Sequence, residues 1–173
     1  MDDLTRLALA AAAGEPSALP AFVRATQADV WRLCAHLGDT DRADDLTQET
    51  YLRAIRALPA FRADASARTW LLAIARRTVA DALRSTRRRH LLHARLRPPS
   101  DQPGPAERIA LQDAVRHLEA DRRAAFVLTQ VLGLSYAEAA EVCACPVGTI
   151  RSRLARARAD LIASLGDESS AAL

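Results

Sequence analysis

The sequence predicts an all-α fold of two helical bodies joined by a proline-rich linker, and three observations predict it. Of 173 residues 38 are alanine, and alanine, leucine and arginine form helices readily, while β-branched and aromatic residues, which favour strands, are scarce, with aromatics at 4%. Apolar residues recur at spacings of three and four along most of the chain. Finally, Pro98, Pro99, Pro103 and Pro105 fall within eight residues that also hold Ser100, Asp101, Gln102 and Gly104, a stretch no helix interior tolerates.

Before that stretch a short helix is expected over residues 4–13. Leu19, Phe22, Val23, Thr26, Val30, Leu33, Cys34 and Leu37 then make the stripe of a second helix that stops at Gly38. After a turn at Asp39 to Asp41, Ala43, Leu46, Thr47, Thr50, Tyr51, Ala54, Ile55 and Leu58 repeat the pattern until Pro59. A further helix begins near Ser66, with Leu71, Ile74, Ala75, Thr78 and Ala82 as its stripe. These make a bundle over residues 1–90, and residues 91–105 read as the linker. At roughly 3 Å per residue the linker reaches about 45 Å, so it permits both a closed and an extended pair of bodies. Residues 106–173 form the second body, with helices near 106–118, 121–132, 135–143 and 146–165. Ser135-Tyr136-Ala137-Glu138 is a capping box, and Pro146 sits in a first turn, where its missing N–H is harmless. The last two helices and their tight turn make a helix-turn-helix.

Composition narrows function by exclusion. All 24 basic residues are arginine, which removes a Schiff-base lysine, the lysine of a phosphate-binding P-loop and a lysine general base. Little more than half of the 50% scored hydrophobic is larger than alanine, so the cores are small. No run of 18 uncharged apolar residues occurs, and MDDLTRL carries two acids where a secretory signal carries bases, so a cytoplasmic protein is expected. Three cysteines, Cys34, Cys143 and Cys145, suggest no disulfide framework. Cys143 and Cys145 read as small buried hydrophobes, since two ligands make no zinc site, and His90 and His93 as solvated groups.

Charge is unevenly placed. Between Arg76 and Arg97 lie eight arginines and one acid, Asp81, in a chain of net charge +3. Arg77, Arg84 and Arg88 share a face opposite the apolar stripe, and Arg87 and Arg89 extend its end. A helix end stabilised by the macrodipole would look the same, but so many like charges suit a polyanionic neighbour better. In the last helix Ile150, Leu154, Ala157, Leu161 and Leu165 make the core stripe, while Arg151, Arg153, Arg156 and Arg158 project elsewhere, with no acid between Gly148 and Ala159. This is the pattern of a recognition helix in a major groove. Asp44, Asp45 and Glu49, with Gln48, form an acidic patch that either complements its helix dipole or docks on a protein; no histidine or further carboxylate converges on it to hold a metal. Trp31 and Trp70 each read as core residues. Trp70, however, follows the loop Phe61-Arg62-Ala63-Asp64-Ala65-Ser66-Ala67-Arg68 and precedes the most basic helix, a setting that also suits an unstacked base.

Three segments, in this order, resemble the extracytoplasmic-function (ECF) sigma factors of bacterial RNA polymerase, and the resemblance runs from about Ser17 to Leu165. ADDLTQETYLRAI (43–55) is similar to the family's core-binding helix, SARTWLLAIARRTVADALRSTRRR (66–89) to its −10 helix, and LTQVLGLSYAEAAEVCACPVGTIRSRLARAR (128–158) to its −35 helix-turn-helix. The paired cysteines ahead of PVGTIRSR are similar to the actinobacterial sigma factor C subgroup.

The resemblance implies sigma domain two, a linker and sigma domain four. It implies as partners promoter DNA, core RNA polymerase through its β′ clamp helices and β flap, and, as is common in the family, a cognate anti-sigma factor. No enzyme activity, cofactor or metal is implied. Asp44, Asp45, Leu46, Gln48, Glu49 and Arg53 would dock on the polymerase. The loop Phe61, Arg62, Ser66, Arg68 and Thr69 would take a flipped base, with Trp70, Arg76, Arg77, Asp81, Arg84, Arg87 and Arg88 around the melted −10 element. Arg151, Ser152, Ala155 and Arg156 would face the −35 bases, with Thr149, Arg153 and Arg158 toward phosphates. No inhibitory N-terminal region or third sigma domain is recognised, so promoter recognition is expected to rest on two DNA elements. Two positions depart from the family: Arg77 stands where asparagine is usual, which suggests a phosphate contact, and Ala144 where the turn glycine is expected. A helix-turn-helix regulator that never engages polymerase is the competing reading; it leaves the acidic patch and the Trp70 loop without a role. A helical adapter for acidic partners is a second rival.

Overall fold

The structure is a computed structural model in which residues 1–92 and 106–171 are described, with side chains over residues 1–88 and 111–165. All regular elements among them are helical. The proposed linker lies outside the described residues except for its first two positions, which continue the preceding helix.

Helix α1 (Asp3–Ala12) is capped by Asp2, whose carboxylate accepts from the Thr5 backbone N–H at 2.9 Å and from the Thr5 hydroxyl at 2.7 Å. The Thr5 hydroxyl in turn accepts from the Ala67 N–H at 3.0 Å, satisfying an orphan donor where α4 (Ala67–Leu92) begins. Between them run α2 (Ala18–Leu37) and α3 (Ala43–Ala57), ended by Pro59 in a 3₁₀ turn. Phe22, Leu33, Leu71 and Leu72 are fully buried, each worth about 1.5–3 kcal/mol over an exposed side chain.

Small residues let these helices approach. A Cβ at Gly38 would meet the Cys34 carbonyl oxygen and Leu46 Cδ1, both at 2.9 Å. Buried threonines keep the interface satisfied, because Thr26, Thr50 and Thr78 each donate to the carbonyl four residues back, at 2.7, 2.7 and 3.0 Å. One stripe expectation is corrected here: Ile55 is 42% exposed, since Ala54 and Leu58 already fill the α3 side of the core. On α4, Val79 joins the expected stripe and Ala82 continues it, half-buried against the core.

The second body comprises α5 (Ala106–His117), α6 (Ala120–Phe126), α7 (Tyr136–Cys143) and α8 (Val147–Ala171). The helix expected over 121–132 changes character midway: α6 passes into a π turn, Val127–Val131, and Gly133, at φ +69°, ends it. The Ser135–Glu138 capping box is present in both directions. Ile150, Leu154, Ala157 and Leu161 bury one side of α8, but Leu165 is 37% exposed, one turn beyond the packed part. Ala144, in place of a turn glycine, still adopts the left-handed conformation, φ 51° and ψ 50°, so the helix-turn-helix keeps its geometry with a strained residue.

The two bodies pack together, so of the two arrangements a long linker allows the structure shows the closed one. Arg68 donates to the Leu132 carbonyl at 2.8 Å, Arg116 to Thr40 at 2.8 Å, and Arg76 pairs with Asp121 at 3.3 Å. Leu37, Val79 and Leu83 face Ala120 and Ala124 across a cleft of about 230 Å³.

Two substitutions should move stability in opposite directions. Gly38→Ala sets a Cβ against the Cys34 carbonyl of α2 and displaces the buried Leu46 side chain, and should destabilise by about 1–3 kcal/mol. Ala144→Gly removes left-handed strain and should stabilise by about 1 kcal/mol, raising Tm by about 2–4 °C. Thermal melts followed by circular dichroism check both signs.

Candidate nucleic-acid interface

With Ile150, Leu154 and Ala157 turned inward, the opposite side of α8 presents Arg151, Ser152, Ala155, Arg156 and Arg158 to solvent, while Thr149 is half-buried at its start. Arg151 and Arg156 have no carboxylate partner among the described residues, and Arg158 reaches only Gln130, at 3.5 Å. Arg153 behaves differently. It turns back across the helix-turn-helix onto Asp121 and donates to Cys145 Sγ at 3.6 Å. Burial pushes the Cys143 thiol beside it up to about 11, which keeps that sulfur a neutral packing group.

On the first body a cleft of about 370 Å³ opens between α3 and α4, lined by Arg53, Ala57, Trp70, Ile74, Arg77, Asp81 and Arg84. Trp70 is propped by Phe61, ring centroids 4.9 Å apart at 45°. Arg77 donates only to the Ala73 carbonyl, at 3.1 Å, and Arg87 and Arg88 are exposed further along α4 with no carboxylate partner among the described residues. The Arg53 guanidinium holds Asp81 at 2.7 Å, Arg84 pairs with the other carboxylate oxygen, and these hydrogen bonds hold the Asp81 carboxyl below its ordinary range. Arg76, on the far side of α4, is turned to Asp121 of the second body instead.

The Phe61 to Thr69 loop is sorted by burial. Phe61 and Thr69 are core residues at 7% and 3% exposure, so they shape the loop from beneath, and neither offers its side chain to solvent. Ser66 caps α4 by accepting from the Thr69 N–H at 3.1 Å, and Arg68 is held by Asp29 and the Leu132 carbonyl. Arg62 is exposed, and Ala63, at φ 59°, packs half-buried against the core. A groove of about 400 Å³ runs beside it, and across from Asp64 and Ser66 stand Glu138 and Glu141 of α7.

The third surface is the outer side of α3. Asp44, Asp45 and Gln48 are exposed and Glu49 is half-exposed. Leu46, expected on this face, is only 5% exposed: it packs against Gly38 in the core and anchors the helix without being offered to a partner. Arg53, expected beside it, belongs by geometry to the α3–α4 cleft. Three apolar groups join the face, of which Trp31 and Ile55 were expected in the core. Trp31, 41% exposed, donates from Nε1 to Asp44 at 2.8 Å, and Leu52 and Ile55 stand exposed about two and three turns beyond Asp44. Trp31 and Leu52 could have been found in the sequence, since neither falls on its helix's apolar stripe.

These surfaces can be compared with known proteins. The sigma-70 region 2 family matches residues 22–89, and the sigma-70 region 4 family residues 108–161. The ECF RNA polymerase sigma factor SigC of Mycobacterium tuberculosis is 55% identical over 166 residues, covering 92% of this chain and 90% of its own. EcfG of Rhodopseudomonas palustris, also an ECF sigma factor, is 38% identical over 134 residues, 74% of each chain. Among solved structures, the sigma factor RpoE of Bartonella quintana in complex with the anti-sigma factor NepR has a TM-score of 0.74 at 28% identity, over 83% of this chain and 94% of that one. CnrH in complex with the cytosolic domain of CnrY gives 0.75 at 29%, over 95% and 99%. With both sigma regions matched in order, on a helix-turn-helix and a bundle that each turn unpaired arginines to solvent, the chain belongs to the ECF sigma factors, promoter-specificity subunits that direct bacterial RNA polymerase in transcription initiation.

Proposed function

We propose that the chain divides its work among three surfaces: α8 holds the −35 duplex, the α3–α4 cleft and its neighbouring loop hold the opened −10 strand, and the outer side of α3 docks on core polymerase. The observation that carries the reading is a set of six guanidinium groups, Arg77, Arg87 and Arg88 on one body and Arg151, Arg156 and Arg158 on the other, without carboxylate partners among the described residues. Uncompensated like charges on two bodies suit one polyanion gripped at two places.

In the duplex, Arg151, Ser152, Ala155 and Arg156 lie at base edges and Thr149 and Arg158 at phosphates. Arg153 is held by Asp121 in the free chain and joins the phosphate contacts when that weak pair opens. In the −10 region Trp70 supplies an aromatic plate, Arg77, Arg84, Arg87 and Arg88 neutralise phosphates, and Arg62 reaches the strand from the loop. The groove at that loop admits a strand only when α7 moves off it, because Asp64, Glu138 and Glu141 repel a phosphate. The chain breaks and forms no covalent bond. Extruding a base from the stack takes a few kcal/mol, and the pocket and phosphate contacts offset it. Asp44, Asp45, Gln48 and Glu49 give α3 a negative rim around exposed Leu52 and Trp31, the composition of an interface with a basic, partly apolar partner.

Run-off transcription from templates selected out of a random DNA library should need both core polymerase and this chain; folded protein that supports no transcript from any template contradicts the proposal. Reversing charge at Asp45 and Glu49 should abolish co-elution with core while leaving the helical signal intact. Arg151→Ala and Arg156→Ala should each weaken binding of the selected −35 duplex by about 1–3 kcal/mol in a fluorescence titration and relax its sequence preference.

A further inference from the structure

Arg53 is the point at which the sequence pattern and the geometry part. At 100° per residue, Glu49, Arg53 and Ala57 form a stripe whose middle residue, Arg53, stands roughly 80° from Asp45 and 140° from Gln48. That stripe turns toward α4. Arg53 accordingly shares its cleft with Trp70, Arg77 and Arg84, donates from Nη1 to Asp81 of α4 at 2.7 Å and from Nε to Glu49 at 2.8 Å. One Asp81 carboxylate lies between two guanidinium groups, Arg53 from α3 and Arg84 from α4, above an apolar floor of Ala57, Trp70 and Ile74. A single anion held by two arginines beside an aromatic plate is the arrangement that a phosphodiester and its base would replace. The exchange is easy, because Arg53, Asp81 and Arg84 are 37%, 44% and 69% exposed, and ion pairs this wet are weak. Arg53 Nη2 makes no hydrogen bond among the described residues, so one edge of the fork is open to a second oxygen.

We propose that Arg53 is a phosphate-binding residue of the DNA cleft and not a polymerase contact, with Asp81 occupying in the free protein the place that a phosphate of single-stranded DNA takes in the complex. The inference rests on the reading of the cleft as the −10 strand site. It adds a DNA contact from the helix otherwise given to polymerase docking, so the strand is held from both walls of the cleft.

The test uses holoenzyme, core polymerase saturated with the full chain, and a fluorescein-labelled single-stranded 20-mer of mixed sequence, with core alone as baseline. Arg53→Ala should weaken the 20-mer about tenfold and lower the slope of log K against log salt by about 0.7, with affinity for core unchanged. Arg53→Lys keeps the charge and should restore the slope. Arg56→Ala removes the same charge from an exposed position of α3 outside the cleft and should leave DNA binding close to wild type. The proposal is overturned if Arg53→Ala leaves the saturated holoenzyme with wild-type affinity and slope, whether or not core binding falls, or if Arg56→Ala weakens DNA as much. If the wild-type chain adds nothing to the binding by core alone, the strand-site reading itself fails, and this inference with it. Circular dichroism melts confirm that each variant is folded.

Discussion

A Cβ on Gly38 would stand 2.9 Å from both the Cys34 carbonyl of its own helix and Leu46 Cδ1 of α3, so the end of α2 seats the Leu46 side chain only because position 38 carries none. With α3 drawn in, Leu46, Thr50 and Ala54 are buried and the acidic residues at its start are rotated outward. The same rotation carries Arg53 over α4. Alanine and threonine extend the principle through the rest of the chain. Alanine fills little volume, so a core built from it needs close backbones, and threonine supplies bulk while returning its hydroxyl to its own helix. Orientation of the charged faces is therefore a packing outcome.

The sequence carried the helices well because caps and breakers are local. Asp2, Ser66 and the Ser135–Glu138 box act within four residues, and their structures match their chemistry. Face assignment by periodicity was legible on α8, whose inward and outward residues follow the 3.6-residue period up to Leu161 although α5, α6 and α7 all pack against it. On α3, between α2 and α4, periodicity put Leu46 in the apolar stripe and the structure buries it, whereas the family resemblance had given it to the polymerase face. Ile55, on the same stripe, is exposed, because Ala54 and Leu58 already fill that side of the core.

Contacts between distant segments were not legible for a different reason. Trp31 with Asp44, Arg53 with Asp81 and Arg76 with Asp121 join residues 13, 28 and 45 positions apart. Nothing in local spacing pairs one arginine among 24 with one carboxylate among 21. The left-handed turn at Ala144 shows the converse. The family pattern called for a glycine, the chain supplies alanine, and tertiary packing of α7 and α8 holds the strained residue in place.

Carboxylates shared between two arginines answer a problem that the composition creates. A chain whose every cation is a permanently charged guanidinium cannot relieve repulsion by deprotonating, as a buried lysine can. Asp81 holds Arg53 and Arg84, and Asp121 holds Arg76 and Arg153, so two carboxylates lower the repulsion among four arginines on the helices that carry the DNA-facing charge. Each carboxylate is more than 40% exposed, so each pair is worth about 0–1 kcal/mol, enough to order the side chains and too little to resist a phosphate. Asp121 differs from Asp81 in joining the two bodies as well, because Arg76 comes from α4 and Arg153 from α8. Loss of that pairing to an incoming polyanion would weaken the contact between the bodies at the moment when both arginines become available, which ties the closed arrangement to the same weak electrostatics that leave the basic helices ready for DNA.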